Sequence, residues 1–287
     1  FFFKMDDNIA RQRSEELREK GFVVIKDMLS ESIISQLMER AAKIVDDFDP
    51  SSHSTIFRTK HQEKVTNQYF LDSASNISCF FEADAFSDDN KLQQDKSLSI
   101  NKIGHALHDI DDVFNNFCRS NDIQDTVKNI INIESPLLIQ SMYIFKQPRI
   151  GGEVSTHQDN WFIHTNPLSC YGLWFALEDA TTENGCLWAI PGSHKEHPCQ
   201  KRFTRTENKV EMIEVDKVEH LTSDEDFIPL PVPKGSMIIL DGGLLHKSYP
   251  NTSNKSRQAF TLHIVDSKAT YSSDNWLQRP SMPFKGF

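Results

Sequence analysis

Apolar residues along this chain follow one period in its first half and another in its second. From about Asp7 to Lys20 polar helix formers dominate, and Gly21 stands where a helix C′ glycine is expected. The run Phe22-Val23-Val24-Ile25 suits a short strand. Ser30 can then cap a second helix, in which Ile33, Ile34, Leu37, Met38, Ala41, Ile44 and Val45 recur at 3.6-residue spacing. That stripe predicts packing against something large. Residues 49–68 and 84–97 are polar and predict surface loops, with a strand at Ile77–Phe81 between them. Ser99–Phe117 and Ile123–Ile131 read as two further helices, closed by Ser135-Pro136.

From Leu137 the period falls to two. Leu137, Ile139, Ser141, Tyr143 and Phe145 alternate with Leu138, Gln140, Met142 and Ile144, and both faces are fairly apolar. Further strands are predicted at Tyr171–Leu177, Cys186–Ile190, Val210–Val215, Met237–Leu240 and Arg257–Val265. Turn signals stand at Asn184-Gly185, Asp241-Gly242-Gly243 and Asn254. Many short strands without intervening helices predict a sandwich or jelly-roll barrel. The expected class is therefore α+β with a mainly β core, the N-terminal helices packed on one sheet.

Composition changes this picture little. The 287 residues suffice for a sizeable core, and one domain over 5–287 is expected. Phe1-Phe2-Phe3 is too short for a signal-peptide core, and Met5 is a candidate start, so residues 1–4 are set aside as an extension or remnant. Lys and Arg number 31 against 41 Asp and Glu, a net charge of −10, and no segment concentrates basic residues. Nucleic acid is therefore not an expected partner. Five scattered cysteines without C-x-x-C spacing predict reduced thiols. With no apolar run near the roughly 18 residues of a membrane span, and no Ser-Lys-Leu at the C-terminus, a cytoplasmic location is the default.

Candidate chemistry concentrates in Gly151–Trp161. On an extended backbone residues i and i+2 share a face, so His157 and Asp159 can offer a nitrogen and an oxygen to one point. A third ligand should come from another strand, and His246, following Met237–Leu240 across the Asp241-Gly242-Gly243 turn, is the best candidate. Arg257 opens the next strand. Two histidines and one carboxylate occupy one face of an octahedral ferrous ion, leaving three positions for a bidentate oxo-acid and O2. An arginine fork deeper in the barrel would hold the acid's distal carboxylate. Zn²⁺ with activated water is the rival, but it leaves Arg257 unexplained.

Longer runs carry a resemblance. They are Ser99–His108, Gln140–Pro148, Gly151–Asp159, Glu183–Trp188, Ile190–His194, His246-Lys247-Ser248 and Ser256–Ala259. Through them the chain resembles the phytanoyl-CoA dioxygenase family over nearly its whole length. The resemblance implies a double-stranded β-helix carrying Fe(II) and 2-oxoglutarate, with His157, Asp159 and His246 on iron and Arg257 on the distal carboxylate. It places Lys102, Met142 and Trp174 against the co-substrate. The activity implied is decarboxylation of 2-oxoglutarate to succinate and CO2, with O2, coupled to hydroxylation of a small metabolite or acyl thioester. A catalytically silent member, binding metal and 2-oxoglutarate as a sensor or partner-binding module, is the alternative.

Other candidates have plainer readings. His194 follows a Pro-Gly turn and is read as structural, while His164 is read as a loop residue. His105 and His108 are expected as exposed helical residues. Trp161, Phe162, Trp174 and Trp188 are expected in core or pocket wall. The acidic Asp224-Glu225-Asp226 reads as a solvated loop within a long insertion, 200–233, that has the length for a lid.

Overall fold

The computed structural model describes residues 6–50, 68–87, 91–196, 199–206, 210–215 and 223–287. The Met5 start, most of the polar stretch 49–68 and part of the 200–233 insertion lie outside the described residues. Helix α1 spans Asp7–Lys20, with the Asp6 side chain accepting from the Asn8 N–H at its start. Gly21 ends it in the left-handed region at φ 81°, returning its N–H to Leu17 O. Helix α2, Glu31–Asp47, opens on Ser30, whose Oγ accepts from the Ile33 N–H. Both caps satisfy donors that a helix end leaves open.

Fifteen strands are described: β1 Phe22–Ile25, β2 Ile77–Phe81, β3 Ile100–His105, β4 Pro136–Ile144, β5 Val154–His157, β6 Thr165–Asn166, β7 Tyr171–Ala176 and β8 Leu187–Ala189, then β9 Lys201–Arg205, β10 Val210–Glu214, β11 Ile228–Leu230, β12 Met237–Asp241, β13 His246–Ser248, β14 Ala259–Asp266 and β15 Thr270–Tyr271. Among the described residues a seven-stranded sheet runs in the order β1-β12-β7-β14-β4-β3-β2, and a second runs β11-β8-β13-β5. These are the large and small sheets of a double-stranded β-helix. A hairpin of β9 and β10 adds a flap beside them.

Alternation explains how the large sheet faces two ways. Phe260, Leu262 and Ile264 of β14 join one core with Leu173 and Phe175 of β7 and Ile239 of β12. The stripe of α2 lands there, with Ile34, Leu37, Ala41 and Val45 all buried in the same cluster. The intervening residues Thr261 and His263 turn to the other side, into a cavity between the sheets.

Ser99–Phe117 is not one helix. Ile100–His105 forms β3, paired to β2 and β4, and helices resume only at Leu107–Ile110 and Asp112–Cys118. Asn101 and Lys102 are poor strand formers taken locally, but a strand gains from neighbours on both sides, and here pairing overrides propensity. His105 and His108 are consequently buried, not exposed. His105 Nδ1 lies 2.7 Å from Ser73 Oγ, and His108 lies 2.8 Å from Ser141 Oγ and 3.1 Å from Asp109 Oδ2. The described residues of 84–97 hold more order than a loop, with a Phe86–Leu92 bridge and a helical turn at Lys96–Ser99.

Candidate active site

His157 ends β5 and His246 begins β13, and the two are direct cross-strand partners in the small sheet. Their rings stand 4.2 Å apart between centroids. The Nδ1 of His157 donates to Ser155 O and that of His246 to Leu244 O, each at 2.9 Å. A carbonyl only accepts, so both Nδ1 atoms carry the proton and both Nε2 lone pairs are left for another partner. Burial, and then the neighbouring His246, push the His157 imidazole down to about 4, which keeps it neutral at neutral pH.

Asp159 sits two residues past the end of β5. Gln158 is still extended, at φ −120° and ψ 139°, so the i, i+2 relation with His157 survives, while Asp159 itself opens a 3-10 turn through Trp161. The turn is tied to the loop ahead of His246, since Asn160 N–H donates to Gly242 O and the Gln158 amide to Gly243 O. Asp159 Oδ1 lies 3.8 Å from both Nε2 atoms. One ligand atom from each of His157, Asp159 and His246 falls within 4.8 Å of the others, a spacing open to a metal ion. Burial opposes ionisation of Asp159, but His263 and His246 outweigh it and hold the carboxyl well below the usual range.

The same cavity, of about 580 Å³, reaches all the other expected site residues. Thr261 of β14 is flanked in register by Met142 on β4 and Trp174 on β7. Lys102 on β3 brings Nζ to 3.7 Å from Met142 Sδ, and burial pushes its ammonium down to about 7. Arg257 precedes β14 rather than opening it. Its guanidinium is buried, stacked 5.3 Å from the Trp174 ring centre, with Nε donating to Gly185 O. Burial lowers it only to about 10, so it stays charged. Its Nη1 is buried without a partner. An unpaired donor on a buried cation is costly unless a ligand meets it, and a carboxylate fits.

A family profile described as Phytanoyl-CoA dioxygenase (PhyH) matches residues 17–259. The chain belongs to the phytanoyl-CoA dioxygenase family. Membership makes it a 2-oxoglutarate-dependent dioxygenase, with Fe(II), 2-oxoglutarate and O2 as requirements. It is 46% identical over 265 residues to "Phytanoyl-CoA dioxygenase" of Arabidopsis thaliana, covering 92% of each chain. It is 38% identical over 286 residues to "Phytanoyl-CoA dioxygenase domain-containing protein 1" of Danio rerio, covering 97% of this chain and 98% of that one. Among solved structures, the epimerase SnoN with Fe3+, alpha ketoglutarate and nogalamycin RO superposes at TM-score 0.66, with 13% identity over 97% and 93% of the two chains. EctD from S. alaskensis with 2-oxoglutarate and 5-hydroxyectoine gives 0.62, with 17% identity over 99% and 88%. At such identity the neighbours speak for the fold, a double-stranded β-helix.

This family member also holds residues near the site that its pattern did not announce. His263 lies 3.2 Å from Asp159 Oδ2. The signal was available, because Thr261 and His263 alternate with Phe260, Leu262 and Ile264 on one strand. Strand β9 went unread, yet its Lys201 and Phe203 line the cavity with Met212 of β10. His194 is structural as expected: its Nε2 lies 3.0 Å from Arg18 O, fastening the turn to the end of α1. His164 is a loop residue, and its backbone is paired by Asn275. Trp161, Phe162 and Trp174 form cavity wall, whereas Trp188 packs on Tyr249. Asp224, Glu225 and Asp226 are exposed as expected, and Lys247 reaches Asp224 at 2.7 Å.

Proposed function

We propose that His157, Asp159 and His246 hold Fe(II), that Arg257 takes the distal carboxylate of 2-oxoglutarate, and that Lys102, Met142 and Trp174 shape the co-substrate's slot. The observation that carries this reading is the shared cavity, which joins three converging ligand atoms to a buried arginine with an unpaired Nη1. A zinc hydrolase would have use for the ligands but none for that cation. The net reaction is 2-oxoglutarate, O2 and a substrate C–H giving succinate, CO2 and the alcohol.

When bound, Fe(II) supplies the oxygen chemistry that side chains lack. The chain supplies geometry and charge. The two imidazoles are aimed by their Nδ1 hydrogen bonds, which fixes the ring planes before any metal arrives. Arg257 is held at Nε by Gly185 O and across its face by Trp174, so its unpaired edge is set for a carboxylate. Its depth excludes water and strengthens the pairing. Lys102 adds a second, titratable cation near the slot.

Phe70, Phe162, Phe203, Met212 and Trp276 make the cavity wall mainly apolar. This wall fits the skeleton of a small metabolite or an acyl thioester as the hydroxylated substrate. Five unpaired cysteines favour a reducing, cytoplasmic setting. Among the described residues no helix is long and apolar enough to cross a membrane. We treat 5–287 as one catalytic domain, since cavity residues are drawn from Phe70 through Trp276.

The test is anaerobic addition of Fe(II) and 2-oxoglutarate, read by the visible charge-transfer absorption of the chelate, then admission of oxygen and a succinate assay. Band and succinate together are expected. With no band the ligand assignment falls. A band without succinate, across a metabolite and acyl-thioester screen, would reassign the protein as a binding module.

A further inference from the structure

The two oxygens of Asp159 face different ways. Oδ1 is 3.8 Å from the Nε2 of both His157 and His246, whereas Oδ2 is 3.2 Å from the Nε2 of His263. His263 belongs to the large sheet, across the cavity from the strands that carry the two histidines. It is buried, in register with Gln140 on β4 and Gly172 on β7.

Both neighbours bear on that contact. The Gln140 amide nitrogen lies 3.3 Å from His263 Nδ1. An amide N–H donates, so Nδ1 accepts, and the ring proton is left on Nε2, 3.2 Å from Asp159 Oδ2, a buried oxygen that no other group meets in a hydrogen bond. Gly172 supplies the space. A Cβ there would stand 2.8 Å from Asp159 Oδ2 and 3.5 Å from His263 Nε2, the first closer than real Cβ atoms approach.

We propose that His263 is a positioning residue: its Nε2–H engages Asp159 Oδ2, so that the carboxylate presents Oδ1 alone to the metal and a coordination position stays open that a two-oxygen grip would close. The inference rests on Asp159 being a metal ligand, as proposed above. A carboxylate free to turn can bind a hard cation through both oxygens. In a three-ligand site that needs room for a bidentate oxo-acid and O2, such a turn would cost reactivity rather than add it. Gln140 sets the tautomer, His263 spends it on Oδ2, and Gly172 keeps the path clear. Partners of ligating groups typically matter by about 10–100-fold in metal affinity.

The test uses the whole protein with Co(II) or Mn(II) alone, without 2-oxoglutarate or oxygen. Metal Kd and the Co(II) visible spectrum are measured for wild type, His263→Leu, His263→Gln, Gly172→Ala and Asp159→Ala. Expected in His263→Leu is a changed Co(II) spectrum, as the carboxylate turns, with a Kd displaced from wild type by about 10–100-fold. Most of both should return in His263→Gln, which keeps an N–H donor. Gly172→Ala should shift the spectrum with His263 intact. If His263→Leu keeps the wild-type Kd and spectrum while Asp159→Ala loses the metal, the positioning role is wrong and the ligand assignment stands. If Asp159→Ala binds as wild type does, the ligand assignment itself is lost. Equal losses in both His263 variants, with a lower melting point of the metal-free protein, would assign His263 to packing and also overturn the proposal.

Discussion

At the scale of single residues the site is a set of atoms already aimed. His157 and His246 use one local device, an Nδ1–H returned to the carbonyl two residues earlier, so neither ring must choose a tautomer when a metal binds. Asp159→Ala removes the anionic ligand proposed for the metal, and iron-dependent succinate formation should fall to background. Full activity in that variant would refute the metal assignment. Arg257 has a different task. Losing a charge-assisted hydrogen bond costs about 1.5–3 kcal/mol, so Arg257→Ala should raise the half-saturating 2-oxoglutarate concentration by roughly 10- to 150-fold. Metal affinity without 2-oxoglutarate should stay near wild type. Arg257→Lys should recover only part of the loss, because an ammonium cannot keep both the Gly185 contact and the stack on Trp174. Were metal affinity to fall along with the co-substrate, Arg257 would be supporting the ligands and not the oxo-acid.

Elements read from local pattern were legible to the degree that local pattern decides them. Helix α1, its glycine cap and the apolar stripe of α2 are written in one-sided periodicity and capping chemistry, and they fold as read. That His157, Asp159 and His246 converge was legible because an i, i+2 pair and a turn before a strand constrain geometry at short range. Strand β3 was misread, because what makes Ile100–His105 a strand is pairing with β2 and β4, and neither partner is adjacent in sequence. His263 was passed over for a similar reason. Its importance comes from Asp159, a residue 104 positions away that meets it only when the two sheets face each other. Helix α2 bears on function through the back of the large sheet. Leu37 is 1% exposed in the cluster that holds β7 and β14, so Leu37→Ala should cost about 2–5 kcal/mol in urea denaturation. Its Co(II) spectrum should be unchanged, since the cavity lies on the opposite face. A spectral change as large as that of His263→Leu would mean that the brace and the site are mechanically linked.

As a whole, the molecule buries basic side chains in a chain of net negative charge. The chain carries a net −10, yet Lys102 and Arg257 are buried around one cavity with no carboxylate in hydrogen-bond contact with the Arg257 Nη1. Holding the Arg257 Nη1 unpaired and away from water weakens the fold until an anion arrives. Ligands that bind only the native state should therefore stabilise it visibly. At a hundred times its Kd each ligand adds about 2.7 kcal/mol, which for a chain of this size is about 5 °C in melting temperature. Melting the wild-type protein with Mn(II), and then with Mn(II) plus 2-oxoglutarate, should give two successive increments, and a chelator should remove both. In Arg257→Ala the metal increment should persist while the second vanishes at the same concentrations. Asp159→Ala should lose the first and with it most of the second, because the oxo-acid is expected to bind partly through the metal. Two increments that survive the chelator would show 2-oxoglutarate binding without the metal, and the arrangement of the site proposed above would have to be abandoned.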